Sequence, residues 1–325
     1  MEAGSIGRSW ESVMLNPYRS VRWSEIRLFA VLAYVGAWVV MTPIWLSGFR
    51  RTDAADTGGL DVQVFLWAMM LTPALAAAAV LLRGGRRLRD LPGELGLRLP
   101  GTLRQTLVSC AKAFVLTTAL IVLSAVLASA FGVFEFDLHG FSGLREETGA
   151  GPGTGPPLLP ALGWIAAHLL TSVLFLPLFL GEEIGWQGYL LPRLLPLGTP
   201  RALLVMGVLW ALWHLPTVLL GGQFPGYGMV IAVPAAVIGG VLVGVFIGWI
   251  RLRTGSVWPT VTAHTVISHV MPPLMLAMGD AERTPDPLQA GLLGWTGWIV
   301  LGGMAVVLAA TGQLRRRRSR ESPIG

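Results

Sequence analysis

The 325-residue sequence has little charge, one cysteine and one lysine. Only 13% of its residues are charged, whereas soluble domains have about 25%. Because Cys110 is the single cysteine, the chain can form neither an intramolecular disulfide nor a metal site made only of cysteines. Cys110 lies within an apolar run, where it is expected to act as a small hydrophobic residue. The chain therefore lacks both the charge of a soluble domain and the cysteines of a disulfide framework.

The near absence of lysine means that the net charge of +6 comes almost wholly from arginine, because Lys112 is the only lysine. Many of the arginines form short clusters between apolar runs, and such clusters set membrane topology. A nucleic-acid-binding domain would instead need a basic stripe with interleaved aromatic residues on a soluble face. We therefore expect no nucleic-acid partner.

Hydrophobic residues make up 53% of the chain and occur in runs of about twenty, the length that spans a bilayer. The sequence predicts an all-α, polytopic transmembrane helix bundle with about eight spans in the lipid bilayer. These spans are Leu28–Phe49, Val62–Leu82, Leu107–Phe134, Leu158–Phe179, Ala202–Leu220, Met229–Ile250, Trp258–Met278 and Gln289–Ala310.

Arginine alternates between rich and poor loops along these spans, as the positive-inside rule requires. The poor loops contain Asp53, Asp56 and Asp61, the uncharged stretch Gly221–Gly228, and a Gly/Pro segment, with Arg50 and Arg51 as a local exception. We therefore expect a multi-pass protein, in the cell membrane, with both termini cytoplasmic. Its predicted parts are a cytoplasmic segment 1–27, a membrane domain 28–310 and a basic tail 311–325, in which Arg315–Arg318 acts as a cytoplasmic stop.

Two adjacent glutamates, Glu182 and Glu183, occur at the predicted inner end of the fourth span. Carboxylates in hydrocarbon are costly, so they indicate function or pairing. On a helix, Glu183 and Gln187 share a face while Glu182 projects about 100° away, which predicts different roles for the two glutamates. A pair that only extends to the cytoplasmic interface is the structural alternative.

Two histidines lie on other predicted spans, His214 on the fifth and His264 on the seventh. Counted from the predicted span starts, both histidines and the glutamates fall in the cytoplasmic half of the bilayer. A single such histidine is often a packing residue, but three spans converging on one depth predict a site. His168 is assigned a structural role, His269 at most a supporting one, and His139 lies in a loop.

Glutamate and histidine around a polar pocket allow two related chemistries. They can bind a divalent metal such as zinc, with Glu182, His214 and His264 as candidate ligands, and activate its water. Without any cofactor, a glutamate can act as general base while imidazoles stabilise an oxyanion. The sequence leaves both open; it contains neither a nucleophile elbow nor the His-Glu-x-x-His signature.

The residues around these groups resemble the CPBP family of intramembrane endopeptidases, also called Abi or CAAX-protease-like, which includes the type II CAAX prenyl endopeptidases. The family pattern is Glu-Glu-x-x-x-Arg, then aromatic-x-x-x-His, then His-x-x-x-Asn. Here the three blocks are Glu182–Gln187, Trp210–His214 and His264–Ser268, in the same order and spacing, and the resemblance covers about 179–268.

The resemblance implies an endopeptidase that cuts a peptide bond near the cytoplasmic side of the membrane. Glu182 with His214 would activate the water, His264 and Ser268 would stabilise the oxyanion, and Glu183 would organise the site. Two residues depart from the pattern: Gln187 replaces the arginine and Ser268 replaces the asparagine. The implied partner is a peptide or protein substrate, which is lipid-modified in one branch of the family.

Two other functions are compatible with the sequence. A catalytically weak or inactive family member could bind a membrane partner or act as an immunity-type protein, as the changes at Gln187 and Ser268 suggest. A transporter could use intramembrane Glu and His as a proton relay, but the chain has no convincing internal repeat of the kind that many transporters contain.

Overall fold

The computed structural model describes Tyr18 and residues 20–52, 58–153 and 155–314. Within these ranges the secondary structure is helical apart from one isolated β-bridge between Phe136 and Gly279. The predicted all-α bundle is confirmed. The predicted stop at Arg315–Arg318, the aspartates Asp53 and Asp56, and residues 1–17 of the predicted N-terminal segment lie outside the described residues.

In the described part of the chain, nine helices build the bundle, and shorter helical segments connect or extend them. The nine are α1 (Trp23–Leu46), α2 (Leu60–Arg83), α3 (Leu103–Ala130), α4 (Leu158–Glu183), α5 (Thr199–Trp213), α6 (Met229–Thr254), α7 (Trp258–Thr265), α8 (Met271–Met278) and α9 (Trp295–Ala310). The shorter segments are Leu88–Asp90, Leu91–Glu94, Ser142–Thr148, Ile184–Leu190, Leu191–Leu194, Leu195–Leu197, Leu215–Val218 and Val266–Val270.

Each of the eight predicted spans coincides with a helical segment, and six of the segments are long and apolar enough to cross a membrane. The segments for the fifth and eighth predicted spans, α5 and α9, are apolar but contain only 15 and 16 residues. A helix needs about 20 residues to cross the hydrocarbon core. The helix Leu215–Val218 continues the chain beyond α5 after His214, so the fifth span is built from two pieces.

The fourth span differs from its predicted boundary at Phe179. The helix continues through a π-helical segment, Ile184–Leu190, to Leu197. Gly185 and Gly188 allow this, because a Cβ on Gly185 would lie 2.3 Å from Pro73 and one on Gly188 would lie 2.4 Å from the Leu95 carbonyl oxygen. Glu182, Glu183 and Gln187 interrupt the apolar run, but they are buried inside the protein. The sequence prediction instead places this polar stretch at the membrane surface.

Close packing of α5 on α6 fixes the position of the histidine-bearing end of α5. A Cβ on Gly240 would come within 2.7 Å of the Ala211 Cβ, and one on Gly244 within 2.9 Å of the Gly207 Cα. Small residues of this kind let membrane helices approach closely, where dispersion contacts replace the missing hydrophobic driving force. The backbone that carries Trp210 and His214 is thereby held against a long helix.

The loops gather at two ends of the bundle. At one end, which we call the basic end, buried Arg193 lies between Glu25 and Glu94, and the Val257 amide donates to the Gly96 carbonyl. The opposite end is joined by a different set of contacts: Arg51 N–H to Leu220, Asp280 N–H to Glu135, and Tyr227 hydroxyl to Asp286. Alternate loops thus lie together, as the predicted topology requires.

Candidate active site

The two glutamates occupy the last two positions of α4, directly before the π-helical segment. Their exposures are 2% for Glu182 and 1% for Glu183, so neither side chain extends to a surface. Such short π-helical stretches within helices are frequent at functional sites. The structural alternative, a glutamate pair at the aqueous interface, is therefore wrong for this structure.

Glu182 is held by Trp210 and faces His214. The Trp210 indole Nε1 donates to Glu182 Oε2 at 3.0 Å, and His214 Nε2 lies 3.8 Å from the same oxygen. This second distance is too long for a direct hydrogen bond but short enough for one water to contact both groups. The pair can therefore hold a water between a carboxylate and an imidazole.

The backbone of Trp210 also sets the tautomer of His214. His214 Nδ1 lies 3.0 Å from the Trp210 carbonyl oxygen. A carbonyl oxygen can only accept a hydrogen bond, so Nδ1 must carry the proton. In the neutral ring, Nε2 is then an acceptor, and this is the nitrogen nearer Glu182.

Glu183 is paired with a different histidine. Its Oε1 lies 3.0 Å from His264 Nδ1, and both side chains are buried. When the carboxylate is ionised it accepts from Nδ1–H, which leaves Nε2 as the other functional nitrogen of His264. Glu182 and Glu183 therefore have separate partners, in agreement with their predicted difference in direction.

Aromatic rings connect the two Glu–His pairs. The Trp210 ring lies edge-on to His214 and His264, with centroid distances of 5.2 and 5.3 Å, and Phe179 packs on His264 at 5.0 Å. These rings restrict the imidazole orientations by packing. Trp210 thus contacts Glu182, His214 and His264, but the sequence alone predicts no role for it; its four-residue spacing from His214, one helical turn, was the available signal.

Ser268 lies one turn beyond His264, where α7 passes into the π-helical segment Val266–Val270. An open cavity of about 360 Å³ is lined by Glu182, His214, His264 and Ser268 among others. Glu183 does not line this cavity. The structure thus brings four of the five predicted catalytic residues to one cavity and places Glu183 behind His264.

Gln187, which stands where the family pattern has arginine, is buried and directed away from the cavity. Its Nε2 contacts Met206 Sδ at 3.6 Å, and its backbone carbonyl accepts from Arg251 Nε at 3.1 Å. The π-helical geometry that begins at Ile184 alters the face that Gln187 would share with Glu183 on an ideal α-helix. The guanidinium of Arg251, on α6, thus contacts the backbone of the residue that is arginine in the family pattern.

The other histidines lie apart from the four cavity groups. His269 Nε2 lies 2.8 Å from the Thr171 hydroxyl, and its ring is 5.7 Å from that of His168. Neither ring lines the cavity. The exposed His139 follows Asp137, whose carboxylate accepts from its backbone amide.

The candidate metal ligands do not converge in the manner of a metal site. Within the part of the chain that the structure describes, no group of three or more His, Cys, Asp or Glu side chains could hold a metal ion. The Nδ1 atoms of His264 and His214 are engaged by Glu183 and by a carbonyl, as is usual for metal-binding histidines, which leaves both Nε2 atoms available. The three candidate ligands are nevertheless not grouped closely enough to hold zinc in this structure, so the proposed mechanism uses side chains alone.

The depth of the site differs from the sequence prediction. Gly181 packs on Met70 and Leu71 near the middle of α2. Trp45, at the end of α1 away from the basic end, donates to the Pro216 carbonyl at 3.1 Å, only two residues after His214. The site therefore lies between mid-bundle and the opposite end, which corrects its predicted position near the basic, cytoplasmic end.

The error has a physical cause at the start of α7. Trp258 Nε1 donates to the Leu97 carbonyl, and the buried Leu95 packs against Gly188. The segment Leu91–Leu97 thus reaches into the bundle, and α7 begins on top of it. The sequence prediction takes Trp258 as the membrane surface and counts six residues from it to His264. Because Trp258 lies deeper in the bundle, that count places His264 too near the basic end.

A polytopic helix bundle with two Glu–His pairs, one buried and one at the wall of an open cavity, defines an integral membrane protein with a hydrolase-like site. A comparison with protein families matched residues 158–270 to the family described as type II CAAX prenyl endopeptidase Rce1-like. The predicted CPBP resemblance is thereby confirmed over this segment, and the match supports a protease-type hydrolase in general. A search of curated proteins gave no match.

Proposed function

We propose that the chain is an intramembrane endopeptidase that uses Glu182 and His214 to activate water. The observation that carries this proposal is the 3.8 Å approach of His214 Nε2 to Glu182 Oε2 at the wall of an open cavity. His264 and Ser268 line the same cavity, where a peptide carbonyl would be placed. The family match over 158–270 supports peptide hydrolysis as the reaction class.

The first step transfers a proton from water to Glu182. Water held between the carboxylate and His214 Nε2 loses a proton to Glu182 Oε2 as its oxygen forms a bond to the peptide carbonyl carbon. The carbonyl π-electrons move to oxygen and give a tetrahedral oxyanion. The indole N–H of Trp210, 3.0 Å from Oε2, orients the carboxylate for this transfer.

The oxyanion is stabilised by His264 and Ser268. To donate through Nε2, His264 must carry both ring protons, and the Glu183 carboxylate 3.0 Å from Nδ1 stabilises that imidazolium. Donors aimed at the developing charge act strongly where water is excluded. In the second step the C–N bond breaks, and the proton on Glu182 passes to the leaving amine nitrogen.

Cleavage of a peptide library by purified, detergent-solubilised protein tests this proposal. Glu182→Gln and His214→Ala are each expected to lose cleavage, by about 10²- to 10⁴-fold for loss of general base catalysis, while expression is unchanged. Glu282→Gln and His139→Ala, both in exposed loops, are matched controls that keep wild-type rates. Unchanged cleavage in both site variants would overturn the proposal.

The partner-binding function predicted as an alternative has a separate outcome. It is favoured if the wild type cleaves no peptide and the Glu182 and His214 variants keep the biological effect of the chain.

Chelator treatment tests whether cleavage needs a metal, since the side-chain mechanism predicts no loss of cleavage. A cell-membrane location and a substrate segment that enters the bilayer are further parts of the proposal.

A further inference from the structure

The cavity extends from the four site residues in one direction only. Its walls are formed by Phe179, by residues between 62 and 70 in the first half of α2, and by Met41 of α1. Its far rim is formed by residues of the opposite end, namely Phe49, Arg51, Leu220, Gly222 and Gln223. None of the lining residues comes from the basic end.

The basic-end side of the site is closed by packed side chains. Trp186 and Tyr189 follow the glutamates and are buried, and Phe29 of α1 packs on both rings at centroid distances of 5.4 and 4.9 Å. Leu190 and Leu191 are also fully buried. A peptide therefore has no comparable route to Glu182 from that side.

The distribution of arginine assigns a membrane face to each end. The basic end carries the arginines of segment 83–104 together with Arg193, Arg251 and Arg253, whereas the described loops of the opposite end hold only Arg50, Arg51, Arg145 and Arg283. Arginine is enriched on the cytoplasmic side of membrane proteins. The cavity rim accordingly lies on the non-cytoplasmic face.

We infer that the substrate is a peptide segment on the non-cytoplasmic side of the membrane, which enters the cavity past Phe49 and Gln223 to reach Glu182. This inference rests on the proposed function and adds the side and chemistry of the substrate. The cavity walls contain the apolar side chains of Met41, Leu66, Met69 and Met70. The substrate residues next to the scissile bond are therefore apolar. The polar rim suits an extended backbone, whose amide groups need partners on leaving water.

Site-directed labelling tests the side of the rim without requiring activity. In a Cys110→Ala background, single cysteines are introduced by Gln223→Cys at the rim, Leu138→Cys in an exposed loop of the same end, and Arg89→Cys at the basic end. A membrane-impermeant maleimide is expected to label the first two in intact cells and the third only after permeabilisation. Labelling of Gln223→Cys only after permeabilisation would overturn the inference.

A cleavage assay then tests the route. Peptides with an apolar segment are given to the Gln223→Cys and Leu138→Cys proteins in detergent, before and after modification with a bulky maleimide. Modification at the rim is expected to remove cleavage, and modification at Leu138→Cys to leave it unchanged. Full cleavage after rim modification would overturn the route, whereas no cleavage by either unmodified protein would overturn the proposed function and leave the labelling result to decide the side.

Discussion

The indole nitrogen of Trp210 lies 3.0 Å from the Glu182 carboxylate, while the backbone carbonyl of the same residue binds His214 Nδ1. One residue thus orients both members of the proposed water-activating pair. Its side chain acts on the carboxylate and its main chain on the imidazole. Side-chain and main-chain effects can therefore be separated by substitution.

Trp210→Phe removes the indole donor and keeps an aromatic ring and the main-chain carbonyl. A hydrogen bond to a charged group contributes about 1.5 to 3 kcal/mol, so kcat is expected to fall by about 10- to 150-fold, with KM little changed. Steady-state peptide cleavage measures this. Trp298→Phe, which removes an indole donor to the Leu293 carbonyl outside the cavity lining, should retain wild-type kcat; equal losses in both variants would contradict the role of Trp210.

The two glutamates should respond differently to amide substitution. Glu182→Gln removes the proton acceptor and is expected to lower kcat by about 10²- to 10⁴-fold. Glu183→Gln keeps an acceptor for His264 Nδ1 but loses the negative charge, so a smaller loss of about tenfold is expected, equivalent to about 1.4 kcal/mol. Equal kcat values for the two variants would contradict separate roles.

Ser268 offers a gain-of-function test. Ser268→Ala removes the hydroxyl donor and is expected to lower kcat by up to about 10²- to 10³-fold, the effect of losing one oxyanion donor. Ser268→Asn introduces the family residue, whose amide reaches farther into the cavity, and is expected to raise kcat above wild type. A serine-to-alanine change without effect on kcat would remove Ser268 from the mechanism.

The packing of α5 on α6 gives a stability prediction. Gly240→Ala places a Cβ within 2.7 Å of the Ala211 Cβ, and overpacking of this kind costs about 1 to 3 kcal/mol. The thermal midpoint in detergent is expected to fall. Gly302→Ala on α9 has nothing within 4 Å of the new Cβ and serves as the control, with an unchanged or slightly higher midpoint. A fall of similar size in both variants would argue against the contact.

The loop after α3 should loosen at low pH. Hydrogen bonds from the Ser142 hydroxyl and from the backbone amides of Ser142 and Gly140 hold the pKa of Asp137 well below its usual range. A lowered folded-state pKa contributes stability above the unfolded value, and this is lost as pH falls through the folded pKa. The protection factors of residues 137–142, which correct for the intrinsic pH dependence of hydrogen exchange, should therefore fall toward low pH, and those of Asp137→Asn should not.

The helical segments and the identity of the site residues could be predicted because each leaves a local signal. Apolar runs of membrane length predict the bundle, and intramembrane Glu and His are rare enough to stand out. The depth of the site could not be predicted, because it depends on Leu95 packing against Gly188 and on α7 starting on that segment. The pairing of Glu183 with His264 likewise depends on how three helices meet.

The π-helical segment Ile184–Leu190 has a consequence for how this chain can change over time. Such a segment corresponds to an α-helix with one extra residue inserted, so it sets the angular phase between Glu182 on one side and Arg193 on the other. Deleting one residue here would restore α-geometry and leave Glu182 and Arg193 near their present phase, whereas deleting one from the α-helical turn Leu191–Leu194 would turn Arg193 by about 100° relative to Glu182. Arg193 would then leave Glu25 and Glu94, which anchor it at the basic end. The π-helical segment can therefore lose its extra residue far more readily than the turn after it can change length.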